Sequence, residues 1–154
     1  MKIIVCGAGR VGMSISEHLS TENNDITVID SNSEALKRIT DLYDVQGVLG
    51  LSSHPAVLKN AGIEDAEMLI AVTESDEINI MACHLSNLLF NIPTKIARIR
   101  SREYLNEELL DLFQEGKIPS IVTHESQNSA TSNAPGVLHC FTIAEATSSS
   151  GEMM

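Results

Sequence analysis

Basic residues are scarce in this 154-residue chain: ten Lys and Arg stand against 21 Asp and Glu, for a net charge of -11. Such a surface repels polyphosphate, and no stretch gathers enough Lys or Arg to form a basic groove, so nucleic acid is excluded as an expected partner. Long apolar runs are missing as well. None approaches the roughly 20 residues of a membrane span, and the opening Met1-Lys2-Ile3-Ile4 lacks the regions of a signal peptide. The expected compartment is the cytosol. Cysteine is limited to Cys6, Cys83 and Cys140. That odd count, without a Cys-x-x-Cys pair or a histidine at metal spacing, indicates neither a disulfide framework nor a zinc site, and predicts reduced, packed thiols.

What is present is alternation. Short β-branched runs at Ile3 to Cys6, Ile26 to Asp30, Val45 to Leu49, Met68 to Val72, Lys95 to Ile99 and Ile118 to Val122 read as six strands. Between them apolar residues recur at helical spacing: Val11, Ile15 and Leu19; Leu36, Ile39, Leu42 and Tyr43; Ile78, Met81, Ala82, Leu85 and Leu89. Each stripe is expected to cover a sheet face. Ser31 with Glu34 and Thr73 with Asp76 have capping-box spacing, and Pro55 suits a first helical position. Strict βαβα order with near-continuous apolar strands predicts a doubly wound parallel sheet, a Rossmann-type α/β fold.

The first strand runs into Cys6-Gly7-Ala8-Gly9-Arg10-Val11-Gly12, a Gly-x-Gly-x-x-Gly loop. In that setting Gly7 supplies the turn, Gly9 lets a pyrophosphate approach the main chain, and Gly12 lets the helix pack on the strand. A helix starting near Arg10 would offer unpaired N–H groups to the phosphates. Arg10 sits in the first turn, where a cation opposes the helix dipole; a bound anion and a solvated side chain account for it equally well. Asp30 ends the second strand, where a carboxylate can accept hydrogen bonds from both ribose hydroxyls. Ser31-Asn32-Ser33 holds no arginine for a 2′-phosphate, which favours NAD or an adenine mononucleotide over NADP. Arg98 and Arg100, two apart on the fifth strand, share a face near its carboxyl end, where doubly wound sheets bind ligands. Thr73-Glu74 follows the fourth strand at the same crevice, with helix capping as the competing explanation of Thr73.

Residues 125–154 contain no Lys or Arg, and nine of the thirty are Ser or Thr. This composition, with Pro135-Gly136 inside it, predicts a tail or linker after a domain of residues 1–124.

The opening MKIIVCGAGRVG, the VID ending at Asp30, LKNAGIEDAEMLIAVTESDEIN and IARIRSREYL together are far more specific than the glycine loop alone. On them the chain resembles, over residues 1–124, the KTN or RCK family of nucleotide-binding regulatory domains. The resemblance implies that Gly7, Ala8, Gly9, Arg10, Val11 and Gly12, with Asp30, Thr73, Glu74 and Arg98, bind NAD(H) or ATP/ADP. It further implies a cytoplasmic assembly, a homo-dimer or tetramer at the inner face of the cell membrane, that opens or closes the membrane subunit of a potassium transporter. One departure stands out. The family usually has Gly-Asp after the third strand, where this chain has Gly50-Leu51-Ser52-Ser53.

Two other readings compete with regulation. One is a small NAD-dependent dehydrogenase, against which neither tyrosine heads a Tyr-x-x-x-Lys pair: Tyr43 is followed four on by Gly47 and Tyr104 by Glu108. The other is an oligomerisation module with a vestigial site. The stretch Ser75 to Phe90 carries more apolar residues than one sheet-facing stripe needs, which predicts self-association.

Overall fold

The computed structural model describes residues 1–105 and 121–124. In chain order its elements are β1 (Lys2–Cys6), α1 (Arg10–Ser20), β2 (Asp25–Asp30), α2 (Ser33–Leu42), β3 (Gln46–Leu49), α3 (Pro55–Asn60), β4 (Met68–Ala71), α4 (Asp76–Phe90), β5 (Thr94–Ile99) and β6 (Ile121–His124). Six strands among the described residues form one sheet in the order β3-β2-β1-β4-β5-β6. Every neighbouring pair is parallel, with Val5 facing Val28 on one side and Ile70 on the other. The chain thus winds outward from β1 in one direction and then restarts beside it at β4, leaving a crevice where the winding reverses.

Alternation within the central strands divides the core in two. Ile3, Val5, Ile26 and Val28 pack with Leu36 and Ile39 of α2 and with Val11, Ile15 and Leu19 of α1. Ile4, Cys6, Leu69, Ala71 and Ala97 pack instead with Leu58 of α3 and Ala82 and Cys83 of α4. Both faces are covered, as the fold expectation requires. Burying each large aliphatic side chain is worth about 1.5–3 kcal/mol, so the twelve largest fully buried residues, all Ile, Leu or Val, anchor the sheet.

Several local expectations are corrected. The cap of α2 is Asn32, not Ser31: its side chain accepts from the amides of Glu34 and Ala35. The cap of α4 is Ser75, not Thr73, and Glu77 accepts its hydroxyl at 2.9 Å. Leu42 is exposed at the end of α2. The largest departure is α4, which buries Asn79, Ala82, Cys83 and Ser86. Met81, Leu88 and Leu89 of the same helix are 44%, 63% and 56% exposed. Small residues let α4 approach Ala71 and Ala97 closely, Ile80, Leu85 and Phe90 pack at the edge of that contact, and Met81, Leu88 and Leu89 turn outward. The strand expected at Ile118–Val122 is described over Ile121–His124, pairing Val122 with Ala97 and His124 with Ile99; 118–120 lie outside the described residues. After β5 the chain makes a 3₁₀ turn, Arg102–Leu105. The tail at 125–154 lies outside the described residues.

Candidate functional site

The three loop glycines are held for three separate reasons. Gly7 has φ +113°, and its N–H donates to Ile29 O at 2.8 Å, tying the turn to β2. A Cβ on Gly12 would lie 1.7 Å from Gly7 O, so α1 can rest against the end of β1 only with glycine there. A Cβ on Gly9 would meet nothing within 4 Å, which leaves the space beside the main chain open. Gly9 is also the N-cap of α1, with no side-chain hydrogen bond to the cap and no acidic residue in the first turn. The first amides of α1, and the positive end of its dipole, therefore face this space. An anion is the ligand such a terminus suits.

Asp30 closes β2 half-buried, with both carboxylate oxygens engaged. Oδ2 accepts the Ala8 amide and Oδ1 the Asn32 amide, each at 2.7 Å. The carboxylate thus fixes the glycine loop and the start of α2 together, and its remaining lone pairs face the crevice. Next to it Gly50 donates its amide to Asp30 O at 2.9 Å, bringing Leu51 and Ser52 alongside. Ser52 is buried, and its Oγ makes no hydrogen bond of normal geometry. It lies by the Cys6 thiol, which burial pushes up to about 12 and which the Ser52 hydroxyl draws back only slightly.

Across the reversal, β4 and β5 supply the other wall. The Arg98 guanidinium donates to Thr73 O at 3.0 Å, and that of Arg100 donates to Glu74 O. Asn79, fully buried on α4, joins the two strands: Oδ1 accepts the Thr73 amide at 2.9 Å and hydroxyl at 2.7 Å, and Nδ2 donates to Arg98 O at 2.8 Å. Asp76 accepts the Arg100 amide at 3.0 Å and the Ser101 amide at 2.7 Å. The Glu77 carboxyl is held below its usual range by its own backbone amide, by Ser75 and by the Tyr104 hydroxyl. Asn79, Asp76 and the two arginines thus set the loop after β4.

The walls enclose a crevice of about 740 Å³ lined by Gly7, Gly9, Arg10, Val11, Asp30, Thr73, Glu74 and Arg98, all expected from the sequence, and by Arg100. That volume suits a small-molecule ligand. Ala8 and Gly12 stand behind the lining: Ala8 is buried and acts through its amide, and Gly12 acts through packing. Sequence reasoning missed Asn79 and the lining residues Asn32, Leu51, Ser52, Ser75 and Ile78. For Asn79 the available signal was an amide placed between two isoleucines of an apolar helix.

Comparison with known proteins fits this geometry. Residues 3–124 match the TrkA-N domain family. The chain is 52% identical over 119 residues to the Trk system potassium uptake protein TrkA of Vibrio alginolyticus and 48% identical over 119 residues to that of Azorhizobium caulinodans. Each alignment takes 77% of this chain and 26% of the relative, so the chain spans about a quarter of the length of the curated relatives it matches. Among solved structures, the TrkA-N domain of inner membrane protein ybaL from Escherichia coli superposes with a TM-score of 0.64 at 19% identity, over 79% of this chain and 84% of that one. The GsuK channel bound to NAD gives 0.60 at 21% identity, over 72% of this chain and 20% of that one. Both likenesses are of fold.

Proposed function

The chain belongs to the TrkA-N domain family, and from that premise we propose that it is the nucleotide-binding part of a cytoplasmic regulatory assembly acting on a membrane potassium uptake transporter. The observation that carries this is the uncapped start of α1 opening beside Asp30 and facing Arg98 across one crevice. Phosphates lie on the glycine loop, a ribose on Asp30, and the remaining charge of the ligand toward Arg10 and Arg98. NAD(H) is the ligand this division fits, with ATP or ADP as competitors for the same crevice. The NAD named with the GsuK channel supports the same assignment.

The role proposed is binding rather than catalysis. Among the described residues, the crevice lining contains no His, Tyr, Lys or Cys to move a proton at a bound nicotinamide. Regulation then requires that NADH and ATP favour different arrangements of the assembly, because a ligand shifts an equilibrium only through unequal affinity for its states. The exposed Met81, Leu88 and Leu89 face of α4 supports self-association as a homo-dimer or tetramer.

Calorimetric titration with NADH tests the site. Asp30→Ala is expected to weaken binding by about 1.5–3 kcal/mol, the worth of a hydrogen bond to a charged group. Equal affinity in wild type and variant would overturn the assignment.

A further inference from the structure

We propose that Asn79 of α4 is the positioning residue that lets Arg98 serve a bound phosphate, by holding the Thr73 carbonyl that the guanidinium would otherwise have to keep. The inference rests on the nucleotide reading above. It starts from a carbonyl with two donors. Arg98 reaches from β5 to the loop after β4 and donates to Thr73 O at 3.0 Å. Asn79 Nδ2 donates to the same carbonyl at 3.2 Å and to Arg98 O at 2.8 Å. Its Oδ1 accepts the Thr73 amide at 2.9 Å and the Thr73 hydroxyl at 2.7 Å. A side-chain amide offers two N–H donors and two lone pairs, so Asn79 commits its whole capacity to Thr73 and to the main chain of Arg98.

The two donors on Thr73 O differ in freedom. Asn79 is fully buried and pinned by three further bonds, whereas Arg98 is half-buried on a long side chain and lines the crevice. A phosphate attracts a guanidinium more strongly than a neutral carbonyl does, and a bidentate grip on it requires the planar fork to turn from Thr73 O. The carbonyl then keeps Nδ2 and stays paired. Without Asn79 the same turn leaves Thr73 O unpaired beneath the ligand, which costs more than the lost bond itself. A ligand that carries no phosphate leaves Arg98 in place. Asn79 therefore acts on the charged part of the ligand alone, from behind the crevice wall.

The test measures ATP and adenosine by calorimetry on the full chain, in wild type, Asn79→Ala, Arg98→Gln and the double variant. Asn79→Ala is expected to lower the ratio of ATP to adenosine affinity by about tenfold, the effect of an orphaned carbonyl. With Arg98→Gln already present, the same substitution should change that ratio by no more than about twofold, because the coupled partner is gone. A purely structural Asn79 would weaken both ligands by one factor, or shift the ratio equally in both backgrounds; either result would overturn the inference. A second readout uses wild type alone. In NMR the guanidinium N–H resonances of Arg98 should move with ATP and not with adenosine, while the side-chain amide protons of Asn79 stay slow to exchange in both complexes. An Arg98 signal unmoved by ATP, or an Asn79 amide that exchanges faster with ATP bound, would overturn the inference while leaving nucleotide binding intact. Failure of both ligands to bind would overturn the nucleotide reading, and this inference with it.

Discussion

The two walls of the crevice are built on opposite plans. Among the described residues, the β2/β3 side lines the crevice with one charged group, Asp30, whose carboxylate is bonded to two main-chain amides; its other side chains are small, hydroxylic, amide or apolar. The β4/β5 side brings Glu74, Arg98 and Arg100, with both guanidinium groups donating to carbonyls of the loop they face. One wall is an acceptor with a neutral surround, suited to a sugar and a base. The other sets a pair of hydrogen-bonded cations beside Glu74, an arrangement suited to negative charge at the arginines. The lesson is that the crevice is divided by sheet position, and the proposed nucleotide would meet shape and hydroxyl chemistry outward from β1 in one direction and electrostatics in the other.

The comparison breaks most completely where the walls share a support. Gly12→Ala would drive a Cβ to 1.7 Å from Gly7 O and push α1 off β1. We expect a loss of about 3 kcal/mol, the upper end of ordinary overpacking, seen as a lower midpoint in urea denaturation. Binding should fail for adenosine and ATP alike, because the loop serves both walls; selective loss of either would mean the walls are independent.

A charge substitution sharpens the contrast with a smaller effect. Arg98→Gln is expected to weaken ATP by about 1.5–3 kcal/mol and to leave adenosine nearly unchanged. The difference should shrink with added salt, measured by titration at two ionic strengths. Asp30→Ala should behave in the opposite way, with a similar loss for both ligands.

The smallest expected effect is on stability beneath the charged wall. Lys95 of β5 is buried with its ammonium donating to Ile92 O, and burial lowers its pKa from 10.5. The unfolded chain then holds a proton that the folded one has released. Stability from this group therefore rises as pH climbs from the lowered folded value toward 10.5. Lys95→Met should raise stability at neutral pH and flatten that rise, followed by denaturant midpoints across the range.

Lining positions on both walls were legible in the sequence, and the residues that hold those walls in place were not. Gly7, Gly9, Gly12 and Asp30 work through contacts within one strand-helix-strand unit, and backbone demands at that range are written locally. The caps were misassigned because Ser31 and Asn32 are adjacent candidates. The choice falls to Asn32, whose own amide is held by the Asp30 carboxylate. Asn79 escaped notice because its meaning lies in Arg98 O, 19 residues away across a strand pair that must form first. The expected stripe on α4 holds at Ala82 and Leu85 and fails at Met81 and Leu89 for the same reason. Periodicity finds an apolar face, but closeness to Ala71 and Ala97 decides which face the sheet can accept.

The outward side chains of α4 also bear on how the chain responds to denaturant. Met81, Leu88 and Leu89 are already about half in water when a single copy is folded. Unfolding that copy exposes less new area from them than from a core residue, so they add less to the slope of the transition and to its heat capacity. Polar substitutions at these three positions are nearly silent in a dilute melting experiment. Their hydrophobicity becomes measurable only when another surface covers it, as a melting temperature that depends on protein concentration.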